Sequence, residues 1–87
     1  MAEKMAWISV RKEKPPLDTE ILIAQKFKFG YHIRIAEYVE VPGRKIPKFG
    51  TAIQRDENGE VYQGYPHENV THWMLLPALP KYHHPQS

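Results

Sequence analysis

The chain has 87 residues, 12 basic and 10 acidic side chains, a formal net charge of +2 and no cysteine. A charge that small does not single out a polyanion binder, and the lack of cysteine excludes disulfide staples, thiolate zinc sites and a cysteine nucleophile. The length fits one domain, which at this size buries only about 60% of its unfolded surface and is modestly stable unless another chain helps.

Taken in chain order, Met1 to Val10 has no apolar stretch long enough for a signal peptide. Within it, Ala6-Trp7-Ile8-Ser9-Val10 is apolar enough to dock on a core as a short strand or irregular piece. The paired prolines of Arg11-Lys12-Glu13-Lys14-Pro15-Pro16-Leu17-Asp18 forbid a helix interior and favour an extended loop. Glu20 to Phe29 reads as a strand. Ile21, Ile23, Phe27 and Phe29 share one face, and Leu22, Ala24, Lys26 and Lys28 the other. Gly30 permits a turn into a second strand, Tyr31 to Val41. Its Tyr31, Ile33, Ile35, Val39 and Val41 form an apolar face interrupted by Glu37, opposite His32, Arg34 and Glu40. A hairpin from Ile21 to Val41 is the best-supported local element.

Pro42 to Gly50 is a loop bracketed by proline and glycine. Thr51 to Arg55 and Glu60 to Tyr65 flank Asp56-Glu57-Asn58-Gly59, whose Asn-Gly pair accepts positive φ and predicts a second hairpin. Pro66-His67-Glu68-Asn69 turns the chain into a last strand, Val70 to Leu76. Pro77-Ala78-Leu79-Pro80 reads as extended and polyproline-like, and Lys81 to Ser87 as a disordered polar tail after a domain over 1–80. The longest apolar run, Trp73 to Pro80, is too short to span a bilayer. No segment of helical length shows a capped 3.6-residue period, and there is no internal repeat. The expectation is a mainly β fold: a small antiparallel sheet or open barrel of about five strands with little helix, soluble and cytoplasmic.

Two blocks carry a family resemblance. Trp7-Ile8-Ser9-Val10, followed by a proline-containing loop and a β run, and Thr71-His72-Trp73-Met74-Leu75-Leu76-Pro77-Ala78-Leu79-Pro80 together resemble the signature blocks of domain of unknown function 551. That family is common in tailed phages and prophages; its members carry W-I-S-V, then L-P, and close on T-H-W-M-P-L-P-x-P-P. The blocks bracket almost the whole chain in the family's order. Leu75 and Leu79 stand where members usually have proline, Lys14 replaces a leucine before Pro15, and the middle from Arg44 to Gly64 is longer than usual. The resemblance implies a small phage-associated accessory protein and carries no activity with it.

For site chemistry, the two tryptophans sit inside apolar blocks, so mutual packing that closes the core is favoured over an aromatic recognition surface. His67 and His72 lie five residues apart and His83-His84 fall in the tail; no spacing among them matches a zinc site, so no metal and no cofactor are expected. Ser9, Asp18, Glu68, Thr71 and His72 could serve catalysis in isolation. No nucleophile elbow, phosphate loop or spaced carboxylate pair joins them, so a non-enzyme is expected.

The basic excess is local. Residues 26–48 carry six basic groups against two acidic ones, Glu37 and Glu40. Lys26, Lys28, Arg34, Arg44, Lys45 and Lys48 interleave with Phe27, Phe29, Tyr31 and Phe49, the combination that single-strand binders use for phosphates and bases. Strand alternation alone also explains it, with rings inward and lysines outward. Lys26, Lys28, Arg34, Arg44, Lys45, Lys48 and Phe49 are therefore the candidate binding residues. The favoured reading is a non-enzymatic phage or prophage accessory protein that binds and modulates a host protein, such as a defence or replication component. The alternatives are nucleic-acid or nucleotide binding through the basic hairpin and loop, and a homo-oligomeric assembly protein whose copies cover exposed sheet edges. No membrane partner is expected.

Overall fold

Six strands form one open antiparallel sheet in the computed structural model, which describes residues 6–77. They are β1 (Ile8–Ser9), β2 (Glu20–Phe27), β3 (Gly30–Val39), β4 (Lys48–Arg55), β5 (Val61–His67) and β6 (Val70–Leu75), in spatial order β1-β6-β2-β3-β4-β5. The described residues contain no helix, and none is long and apolar enough to cross a membrane.

The predicted hairpin is present. β2 and β3 pair from Glu20↔Glu37 to Phe27↔Gly30 around the turn Lys28-Phe29, and Gly30 closes it at φ 139°, which side chains with a Cβ rarely adopt. β6 pairs on the other side of β2, so β2 is interior and needs apolar residues on both faces, as Ile21-Leu22-Ile23-Ala24 supplies. The register of β2 against β6 shifts between Ala24 and Gln25. β1 pairs with β6 at Ile8↔Trp73 and Ser9↔His72, so the two signature blocks at opposite ends of the chain are neighbours in the sheet.

The second hairpin also forms, with wider bounds than the sequence indicated. β4 begins at Lys48, inside the predicted loop, and β5 runs through Pro66 to His67. Pro66 is tolerated there because β5 is an edge strand with no neighbour needing its missing N–H. The turn itself is as expected: Asp56 Oδ1 accepts from the N–H of Asn58 and of Glu60, each at 2.9 Å, with Gly59 at φ 82°.

One face of the sheet is covered by the chain's own proline-containing segment. Ile21, Ile23, Ala36 and Trp73 form the core on that face, with Ile8, Val10, Phe49 and Val70 against them. The covering segment is fastened by Val10 N–H to Thr71 O at 3.0 Å, Trp73 Nε1–H to Glu13 O at 2.9 Å and Asp18 N–H to Tyr38 O at 2.9 Å, and Pro15 is buried under it. At the C-terminal end of β3 the other face is covered too. There β4 bends at Ala52 (φ 56°), the β4–β5 hairpin curls back, and Val39 and Val61 are buried along one cleft. Arg55 then reaches Asp18 and Glu37, 2.9 Å from each.

Three expectations about packing are corrected. Trp7 does not join Trp73 in the core: Trp73 is 4% exposed on the covered face, whereas Trp7 is 38% exposed on the opposite one. Adjacent residues of a strand point to opposite faces, and Ile8, next to Trp7, takes the covered side opposite Trp73. Tyr31, Ile33 and Ile35 are half-exposed or more, because among the described residues the segment between β1 and β2 lies over the other face, where Ala36 and Tyr38 are buried. Phe29 does not continue the inward row of β2; it occupies the turn and is 93% exposed. Of the Pro77–Pro80 segment only Pro77 is described, and the predicted tail, Lys81–Ser87, lies outside the described residues.

Candidate functional site

The basic residues singled out from the sequence fall in three separate places. Lys26 stands near the end of β2 and Lys28 in the β2–β3 turn, Lys26 Nζ lying 5.0 Å from the Tyr31 ring centroid and Lys28 Nζ 5.5 Å from that of Phe29. Arg34 is turned to the covered side of the sheet, where its Nε donates to Gln25 Oε1 at 2.7 Å. Arg44 and Lys45 belong to the loop before β4 and line a cleft of about 430 Å³ shared with Asp18, Glu40 and Glu60, which offset their charge. Lys48 opens β4 half-buried, and Phe49, partly buried against the core, meets the Tyr38 ring in a tilted contact with centroids 4.7 Å apart. The hairpin tip alone joins lysines to an exposed ring.

The larger feature is the open face, which sequence reasoning missed. Trp7, Tyr31, Ile33 and His72 surround a hollow of about 300 Å³ floored by Ala24, and Ile35 extends the apolar surface along β3. Small Ala24 between larger neighbours makes the depression: β2↔β3 pairing sets it beside Ile33, and β2↔β6 pairing beside His72. A signal for this was present in the sequence. A chain expected to hold little helix has little besides its loops with which to cover a single sheet, yet both faces of the central strands are apolar.

Next to this face the sheet forks. The ladder between β3 and β4 covers only Glu37–Val39, and β4 then turns away, leaving Tyr31 to Ile35 without a neighbouring strand on that side among the described residues. The cleft in the fork, about 460 Å³, is lined by Ile33, Arg34, Ile35, Thr51, Tyr65 and His67. Thr51 Oγ1 donates to Ile35 O at 3.0 Å, which uses its single proton, so His67 Nε2–H donates to Thr51 Oγ1 at 2.6 Å.

Burial first, and then the charge of Arg34, hold the His67 imidazole below its ordinary value of 6.5. The unfolded chain therefore takes up more protons than the folded one as pH falls from about 6.5. This contribution to stability is complete above that pH and is lost on acidification through the lower folded value. The melting temperature of the wild type is expected to fall more between pH 7 and pH 5 than that of His67→Gln. Superimposable pH profiles for the two would sink this assignment.

His67 and His72 serve different places, His72 Nδ1 meeting Thr71 Oγ1 at 2.8 Å beside the open-face hollow. Among the described residues no three His, Asp or Glu side chains converge into a cation site.

A family model described as "Protein of unknown function (DUF551)" matches residues 6–81, and the chain belongs to that family. No curated protein and no solved structure matches the chain. The match begins at Ala6, just before Trp7 and β1, and ends beyond β6, so it takes in both the covered core and the open face.

Proposed function

We propose that this chain is a non-enzymatic accessory protein of phage or prophage, working in the bacterial cytoplasm, that docks a host protein on the open face of its sheet. The observation carrying this is the apolar surface of Trp7, Tyr31, Ile33 and Ile35 on a domain too small to leave such area idle. Its Ala24-floored hollow has the size and lining to seat one apolar or aromatic anchor, the type of contact that dominates binding energy at protein interfaces. The family's occurrence in phages and prophages supports the setting.

The test is affinity purification from host lysate with and without nuclease, run in parallel with Ile33→Asp. A charge at this exposed position should leave folding intact and reduce capture of a specific protein by tenfold or more, while nuclease leaves that capture unchanged. Equal capture by Ile33→Asp would overturn the reading, and so would a partner lost on nuclease treatment. Self-association through the same face would appear as a second copy of the chain in the eluate.

One observation favours a second reading. Phe29, almost fully exposed beside Lys28 at the hairpin tip, is placed as single-strand binders place a stacking ring. Salt-sensitive binding of arbitrary oligonucleotides that Phe29→Ala abolishes would establish it.

A further inference from the structure

The unpaired side of β3 says what form the docking partner takes. In an antiparallel hairpin, residues alternate between those whose backbone groups face the partner strand and those whose groups face away. Phe27↔Gly30 closes the two-residue turn and is a hydrogen-bonded pair, so Gln25↔His32, Ile23↔Arg34 and Ile21↔Ala36 are hydrogen-bonded pairs as well. The N–H and C=O groups of Tyr31, Ile33 and Ile35 therefore point away from β2. Two contacts agree with this: Ile35 O accepts from Thr51 on the β4 side, and Tyr38 O accepts from Asp18 on the β2 side.

Among the described residues, β4 takes up these outward groups only from Glu37 onward. From Tyr31 to the Ile35 N–H this edge thus presents backbone donors and acceptors beside an apolar face, the Ile35 carbonyl being taken by Thr51, without the bulge or proline that often blunts an exposed edge.

We propose that this edge receives an extended segment of the partner protein as an added strand, with apolar residues at alternate positions and an acidic residue facing Arg34. The proposal rests on the docking reading above and specifies how the partner engages. Strand addition satisfies the outward groups of β3, and period-2 alternation brings every second side chain of the guest onto the face of Ile33 and Ile35. The acidic preference follows from charge. Residues 30–36 contain no carboxylate, the charged group lining the fork is Arg34, and Lys26 and Lys28 lie on the hairpin beyond it. At its closed end Glu37 is occupied by Arg55.

The probe is a displayed library of random ten-residue peptides selected on the full chain. Selected sequences are expected to alternate apolar residues and to carry an acidic one. N-methylation of a guest backbone N–H that faces β3 should weaken binding about tenfold, the loss of one well-formed hydrogen bond. Ile33→Pro should abolish binding. That variant removes an outward N–H without removing a β2–β3 ladder bond, and an unchanged circular dichroism spectrum confirms that it stays folded. Selected peptides indifferent to N-methylation and to Ile33→Pro would overturn strand addition, and so would a selection yielding no binder. If Ile33→Asp still blocks capture of the host protein, the docking reading survives that failure. If truncation to residues 6–77 is needed before any peptide binds, the chain's own termini occupy the edge and the proposal falls.

Discussion

Replacing Trp73 with alanine is expected to cost about 3–5 kcal/mol, the range for truncating a large buried aromatic. The indole is 4% exposed and packs against Ile21, Ile23 and Ala36, the centre of the core on the covered face. Its Nε1–H also holds Glu13 O at 2.9 Å, so the same side chain fills the core and pins the segment that seals it. Small domains lie toward the low end of the usual stability of about 5–15 kcal/mol, so a loss of this size leaves a large unfolded fraction at room temperature. Trp73→Phe keeps most of the apolar contact and loses only the pinning bond; its cost should be about 1–3 kcal/mol. Urea titration followed by far-ultraviolet circular dichroism measures both.

Trp7→Ala supplies the contrast, at about 1 kcal/mol or less, because the ring sits on the uncovered face and its loss opens no core cavity. Equal losses at Trp7 and Trp73 would mean that the open face is part of the folding core. The docking reading would then lose its main support.

That contrast marks the limit of what the amino-acid order made legible. Local rules were enough for the β2–β3 hairpin, where alternation ran through Glu20–Phe27 and a glycine stood at the turn, and for the Asp56–Gly59 turn, where Asn-Gly selects the geometry. They were also enough to expect little helix, and the described residues contain none. They could not say which apolar row of β3 is covered, since Tyr31-Ile33-Ile35 is the more hydrophobic row and yet is the exposed one. The decision is made at long range: β1 and β6 pair across more than sixty residues, and the segment between β1 and β2 then lies over the other face. The same holds for the basic set. In sequence Lys26 to Lys48 is one cluster, but the divergence of β4 at Ala52 and the half-burial of Lys48 distribute it over a turn, a fork and a loop. Phe49 lay three residues beyond Ile46 in an expected surface loop, and it packs against the core because β4 begins before it.

Gln25→Leu is expected to destabilise the protein by about 1–3 kcal/mol, the net worth of its two hydrogen bonds. Gln25 is 4% exposed and stands where the β2–β6 register shifts. Its Nε2 donates to Glu68 O at 2.9 Å, across to the turn between β5 and β6, and its Oε1 accepts from Arg34 Nε at 2.7 Å on β3. One amide thus joins three parts of the sheet where main-chain pairing is interrupted, and leucine fills the same space while deleting both bonds. The two ends are not equivalent. Both partners belong to exposed residues, but Arg34 is a flexible side chain that can turn to water, whereas the Glu68 carbonyl is fixed in the main chain of the turn between β5 and β6. Most of the loss should therefore come from the carbonyl, and Arg34→Met should cost clearly less than Gln25→Leu. Gln25→Glu should resemble Gln25→Leu despite an improved bond to Arg34, because a carboxylate sets an acceptor against the Glu68 carbonyl. Urea midpoints of the three variants decide it. A Gln25→Glu protein as stable as wild type would mean that the Arg34 bond carries the network, and the β5–β6 turn would then be held by Asn69 O and the Lys26 N–H, 2.9 Å apart, without help from Gln25.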